Sequence, residues 1–266
     1  GEEIICTNDH ELFYLALSGF GQFGIILSCT INVTNKIHRS ARHLVFKNDQ
    51  EAFFSALKQL AFNEQIDFLY SHNDFSKDEH VYRIKYGKNF ASKTDVIPIK
   101  EDDFGQNTSA HIPWDYRTEF TPKKVDRDRD GYTTEFLFPD LRGVREINDF
   151  VRTHYPYDKC PLYIIPIKNI TTKYPLHTLS PSYFSPEIPL LWVYGIYHYG
   201  FDEQFYKKCL RICMKHQGRL YLWGHHKLSK RERESIYTKS TLDYIIQKKK
   251  DIDPYNILNP SVFPSF

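Results

Sequence analysis

Apolar residues along the chain change period several times, and each change marks an element. Phe53, Leu57 and Leu60 recur at helical spacing behind Asn48 and Asp49, either of which can cap a helix over 50–60. Residues 65–71 and 80–86 then alternate apolar with polar, the period of strands with one wet face, which predicts a helix packed on a half-exposed antiparallel sheet. Alternation returns over 133–138, with a turn at Pro139 and Asp140 and a helix from about 141 to 152. Strands follow at 162–167 and 190–198 with a proline-rich loop between them, and Asp202 opens an amphipathic helix through Lys215 that feeds a strand at 219–223.

The first 34 residues read as strand, helix, glycine turn and strand. The last of these, 25–33, is almost continuously apolar, as suits burial on both faces. A closing helix is expected from Tyr244 to Lys250. Between Gly87 and Tyr132 no period holds: Trp114, Tyr116 and Phe120 are isolated anchors, and the options for the stretch are a lid, a partner surface or partial disorder. Asp126, Asp128, Asp130 and Gly131 are spaced as in a calcium loop, but Arg127 and Arg129 interleave them and no Glu closes the run, so an exposed charge-alternating turn is the expectation and no metal is expected. The chain is therefore expected to be α+β, with a mainly antiparallel sheet and helices, and no internal repeat stands out.

Composition narrows the classes. Rings make up 16% of the 266 residues, with 19 Tyr and 20 Phe, which serves either a large aromatic core or a cleft for a planar or apolar ligand. A net charge of +2 from 35 basic and 33 acidic groups does not point to nucleic acid. Five Cys without a CxxC spacing suggest reduced, mostly buried thiols. No run of 18 apolar residues and no leader is visible, so the default expectation is a cytoplasmic protein without a transmembrane segment, unless an upstream targeting segment has been lost.

Two segments carry a family resemblance. Residues 11–28 run from Glu-Leu-Phe through Gly19, Gly21 and Gly24 into Phe-Gly-Ile-Ile, and 253–260 read Asp-Pro-Tyr-Asn-Ile-Leu-Asn-Pro. The first resembles the flavin-contacting segment, and the second the closing signature, of FAD-linked oxidoreductases of the vanillyl-alcohol oxidase (PCMH) type. The order of the aromatic strands between them is similar to the Δ24-sterol reductase branch. The resemblance implies a PCMH-type FAD-binding domain, of which this chain holds the C-terminal part, plus a cap domain. It divides the chain into 1–37 and 225–266 as flavin-domain segments and 38–224 as the cap, with 88–131 as an irregular insertion. It also implies a missing N-terminal half of the flavin domain, as in a cleaved chain or a truncated relative, and that half is an expected partner.

FAD is the cofactor the resemblance implies, with Gly19, Gly21, Gln22, Gly24, Ile25 and Asn259 as its contacts. The cap sheet would hold the substrate against the flavin edge, because reacting atoms must lie about 3 to 3.5 Å apart. Trp192, Tyr194 and His198 share one side of their strand and Tyr197 the other. His225 and His226 follow the strand that ends in Trp223, and imidazoles titrate in the range that proton transfer needs. Candidate catalytic residues are thus His225, His226, His198, Tyr194 and Tyr197, and candidate substrate contacts are Trp192, Tyr163, Trp223 and Arg117. The expected function is hydride transfer between flavin and a small organic or lipid-like substrate, an alcohol, an amine or an activated alkene. The alternative is a binding or structural protein derived from the cap alone.

Overall fold

A computed structural model of the chain describes residues 2–17, 19–33, 38–75, 79–90, 107–109, 132–155, 160–169, 187–198, 202–221, 228–237 and 239–260. Its centre is an 8-stranded sheet built from β1 (His38–Lys47), β2 (Phe68–Phe75), β3 (His80–Phe90), β4 (Asn107–Ser109), β5 (Tyr132–Phe138), β6 (Cys160–Lys168), β7 (Leu190–His198) and β8 (Arg219–Tyr221). The strands lie in the order β4-β1-β3-β2-β6-β7-β5-β8, and every neighbouring pair is antiparallel. The helices are α1 (Glu11–Leu17), α2 (Gln50–Ala61), α3 (Leu141–His154), α4 (Glu203–Lys215), α5 (Lys230–Tyr237) and α6 (Lys239–Ile252). This is the expected α+β class with a mainly antiparallel sheet.

A duplication lies within it. The unit β1-α2-β2-β3 and the unit β5-α3-β6-β7 each place their last strand between the other two, and the units join where β2 pairs with β6. At the join, Ser71 on β2 donates its hydroxyl to the Ile164 carbonyl and accepts from the Ile164 amide, both at 3.1 Å. Gln50 opens α2 and meets α3 through Asp149 at 2.8 Å and Asn148 at 2.9 Å. Tyr82 of β3 reaches Gln50 at 3.0 Å, and Tyr194 of β7 reaches Asn148 at 3.3 Å, in matching places of the two units.

Local sequence explains where the helices begin. The carboxylates of Asp49, Asp140 and Asp202 accept hydrogen bonds from free amides in the first turns of α2, α3 and α4, which an N-cap must do. Apolar faces of these helices then cover one side of the sheet, burying Phe53, Leu57, Val144, Ile147, Phe205 and Leu210 against Tyr82, Ile84, Phe136, Ile164 and Tyr194. Leu137 and Leu191 form a smaller cluster on the other side, flanked by Val193 and Tyr221.

Four differences from the sequence expectations have physical causes. Residues 25–33 form no strand and pair with none among the described residues, and Ile25, Ile26, Leu27, Ile31 and Val33 are 58% to 84% exposed rather than buried on both faces. An apolar run gives a strand only where a neighbour takes up its backbone groups. β1 has Arg, His and Lys among its apolar positions, which hid its alternation. The closing helix is longer than its apolar period and follows a second helix, α5. The thiols divide: Cys209 and Cys213 are buried, whereas Cys6 is partly exposed and Cys29 exposed. Trp114, Tyr116, Phe120 and the Asp126 to Gly131 turn lie outside the described residues. Among the described residues no helix is long and apolar enough to cross a membrane.

Candidate functional site

The two segments that carry the resemblance meet. Lys249 on α6 is buried, and its ammonium donates to the Gln22 carbonyl at 2.8 Å, to the Leu258 carbonyl at 2.5 Å and to Asp253 at 2.5 Å. Asp253 also accepts from the amides of Ile257 at 3.0 Å and Leu258 at 2.7 Å, shaping the turn after α6. Lys249 first, and then those amides, hold the Asp253 carboxyl down to about 2. Asn259 donates to the Phe20 carbonyl at 2.5 Å, and Glu11 on α1 accepts from Tyr244 and Lys248 at 2.6 Å each. Leu15, Phe23 and Ile245 form the small apolar core beneath these bonds.

Within the turn the three glycines differ. A Cβ at Gly19 would stand 2.1 Å from the Leu15 carbonyl and 2.6 Å from the Phe23 ring, so this position is filled by the protein itself. Gly21 has φ +72, a conformation that favours glycine, and nothing lies within 4 Å of where its Cβ would be; Gly24 also has positive φ and faces open space. Gln22 is buried and donates back to the Gly19 carbonyl at 3.2 Å, while Ile25 is exposed.

A second arrangement lies on the face of the sheet away from α2, α3 and α4. Antiparallel register sets Tyr221, Glu135, Gly195, Tyr163, His72 and Arg83 in one row across β8, β5, β7, β6, β2 and β3. Residues in register share a face. Tyr163 lies flat across Gly195, where a Cβ would stand 2.1 Å from the ring's Cζ, and its hydroxyl donates to Glu135 Oε1. Tyr197 packs beside it, with ring centroids 5.5 Å apart and planes tilted by 54°.

The electrostatics of this row are uneven. Burial pushes the Glu135 carboxyl up, and the hydrogen bond from Tyr163 offsets that only in part. Burial pushes the phenols of Tyr163, Tyr197 and Tyr221 up as well, and the nearby Glu135 charge adds to each. On the same face Asp74 goes the other way: His72 at 3.6 Å and Arg83 at 2.5 Å hold its carboxyl below the usual range. Two carboxylates on one surface are thus driven apart, one favouring the neutral acid and one the anion, and such pairs separate acid from base roles.

Of the residues singled out in the sequence, Tyr163 and Tyr197 lie together on this face, Tyr163 buried and Tyr197 half-buried. Trp192 and Tyr194 are buried in the helix-covered core, on the opposite face. His198 ends β7, and its side chain is outside the described set, as are Trp223, His225, His226 and Arg117 entirely. Glu135, Gly195 and Tyr221 were not anticipated. Their signals were a single acid inside the apolar strand 133–138 and a single glycine inside an aromatic strand, each without an obvious structural use.

No protein-family model and no curated protein matches the chain. Solved structures do. A xylooligosaccharide oxidase from Myceliophthora thermophila C1, in complex with xylobiose, is similar with a TM-score of 0.51 at 9% identity, over 83% of this chain and 54% of the oxidase. A Bermuda grass isoallergen, BG60 of the pollen group 4 allergens, gives a TM-score of 0.48 at 10% identity, over 86% of this chain and 55% of its own. The chain spans about half the length of the two structures. The likeness to the oxidase is one of fold.

Proposed function

We propose that the chain forms the substrate-covering sheet and the closing part of an FAD-dependent oxidoreductase that moves a hydride between an organic substrate and flavin. The observation that carries this reading is the tie between the glycine turn and the run from Asp253, made through Lys249 and Asn259. These are the two segments on which the family resemblance rests. The open space at Gly21 and Gly24 fits a planar or phosphorylated ligand approaching the backbone there, whereas Gly19 serves the packing of the turn.

Bound flavin supplies the two-electron chemistry. The chain's own share is to hold the substrate and handle its proton. Glu135, buried and oriented by Tyr163, takes the substrate proton or returns it, and a carboxyl pushed upward by burial suits that exchange. Tyr197 and Tyr221 wall the position. His225, His226 and His198 remain alternative proton carriers. In this arrangement 1–37 and 225–266 lie on the flavin side and 38–224 form the cap. The exposed apolar run 25–33 takes a companion flavin-binding half, whose strand would pair its backbone and cover Ile25, Leu27 and Ile31.

The test is the absorbance spectrum and intact mass of the protein purified with its companions from its source, or co-expressed with a PCMH-type flavin-binding half. Flavin absorbance that Gly21→Val diminishes supports the reading. Persistent absence of flavin in the native assembly overturns it in favour of a cap-derived binding protein.

A further inference from the structure

We infer that Phe20 and Asn259 are positioning residues for the flavin: the Asn259 side chain holds Phe20 at positive φ, and the turn so fixed presents the backbone of Gly21 and Gly24 to the cofactor. This rests on the flavin reading of the glycine turn, and it names the residues that set the shape of that turn.

Residues 19–22 form a tight turn, closed by the Gln22 amide donating to the Gly19 carbonyl at 2.9 Å, and its two central residues, Phe20 and Gly21, have φ +49 and +72. Glycine, asparagine or aspartate ordinarily takes such places, because a Cβ crowds the backbone at positive φ. A phenylalanine there needs a reason and a support. The reason is its ring: Phe20 is half-buried and packs against the main core of the sheet, whereas α1 and α6 share only the small core of Leu15, Phe23 and Ile245. Phe20 thus joins the terminal segments to the body of the protein.

The support comes from the closing run. Asn259 donates its side-chain amide to the Phe20 carbonyl at 2.5 Å, and Lys249 donates to the Gln22 carbonyl at 2.8 Å. Of the seven described residues at positive φ, five fall in these two segments, namely Phe20, Gly21, Gly24, Asn256 and Asn259. Unfavourable backbone persists only where its surroundings over-determine it, and here the two segments do so for each other. What they secure is the side of the turn on which a Cβ at Gly21 or Gly24 would meet nothing within 4 Å. A backbone already held in its binding shape needs no ordering when a ligand arrives, which favours affinity. Asn259 therefore acts on the cofactor through Phe20.

The experiment is a double-mutant cycle between Asn259→Ala and Phe20→Gly with two readouts: hydrogen exchange of the Gln22 amide in the full chain, and FAD affinity, by flavin fluorescence, of the chain co-expressed with a PCMH-type flavin-binding half. Asn259→Ala alone is expected to quicken Gln22 exchange and to weaken FAD by roughly three- to tenfold, the worth of one hydrogen bond, while near-ultraviolet circular dichroism stays native. In the Phe20→Gly background the same change should do little, because glycine takes positive φ without support. Phe20→Asn, which also tolerates positive φ, is the second background if loss of the ring loosens the terminal segments. A merely structural Asn259 would give the same effect in every background. Additive effects, unchanged Gln22 exchange in Asn259→Ala, or quickened exchange with unchanged FAD affinity overturns the inference and leaves the oxidoreductase reading standing. A parent assembly that takes up no FAD removes that reading, and with it the cofactor role of both residues.

Discussion

Tyr163 reaches Glu135 from two strands away: its ring crosses β7 where Gly195 has no side chain, and its hydroxyl donates to the carboxylate on β5. One missing Cβ therefore decides whether the only acid inside β5 has a partner among the described residues. The consequences can be measured.

Gly195→Ala puts a methyl group 2.1 Å from the Tyr163 ring, far inside contact distance, so the ring must lift and the bond to Glu135 must break. We expect a stability loss of about 1–3 kcal/mol, as for overpacking of a filled site, together with a downward shift of the Tyr163 phenol. Denaturant unfolding and a spectrophotometric tyrosine titration read the two effects. A native-like titration in the variant would show that Gly195 is not what lets the ring pass.

Glu135→Gln keeps the acceptor oxygen for Tyr163 but cannot ionise. Because the folded-state Glu135 is raised above its unfolded value, its contribution is fully present in acid and is lost as pH rises through the folded value. The variant is therefore expected to melt higher than the parent protein at pH 7, with the gap closing as pH falls through the raised folded value and gone below about 4.3, the ordinary glutamate value. Melting curves across pH 3–8 check the sign; a variant less stable at pH 7 would contradict it.

The clamp at Lys249 titrates in the opposite sense. Asp253 is depressed to about 2, so its stabilising pair with Lys249 is complete above the unfolded aspartate value, about 3.9, and is lost as pH falls towards the folded one. Hydrogen exchange at acid pH should loosen α1, the glycine turn and the end of α6 before the sheet. Lys249→Met should reproduce that pattern at neutral pH, since it leaves the Gln22 and Leu258 carbonyls without their donor.

Thiol labelling offers a test of the core. Burial pushes the thiols of Cys209 and Cys213 far up, whereas Cys29 is exposed. A thiol-specific reagent at pH 8 should modify Cys29 within the first phase and spare Cys209 and Cys213 until the chain unfolds, because the thiolate is the reactive form. Mass mapping of early labelling at Cys209 would argue against the packing of α4 on the sheet.

Two helix starts were legible from sequence because an N-cap is a local matter: Asp49 and Asp202 each stand three residues before the amide they satisfy. β7 was legible for a similar reason, its run of apolar and aromatic residues being bounded by proline on one side and glycine on the other. The duplication of β-α-β-β units was not, because matching places need only matching geometry, and Gln50 and Asn148 do corresponding work with unrelated neighbours.

Periodicity told which residues of one strand share a face, and nothing more. It set Tyr197 opposite Trp192 and Tyr194 without saying which side the helices would cover. What the sequence alone determined were the caps, the helix faces, most of the strands and the two segments that carry the family resemblance. Tertiary structure decided the rest: that Trp192 and Tyr194 fill the core, that 25–33 has no partner strand among the described residues, and that Glu135, Gly195 and Tyr163 converge. Those three stand on separate strands, and only the antiparallel register, set by packing across the whole sheet, brings them into one row.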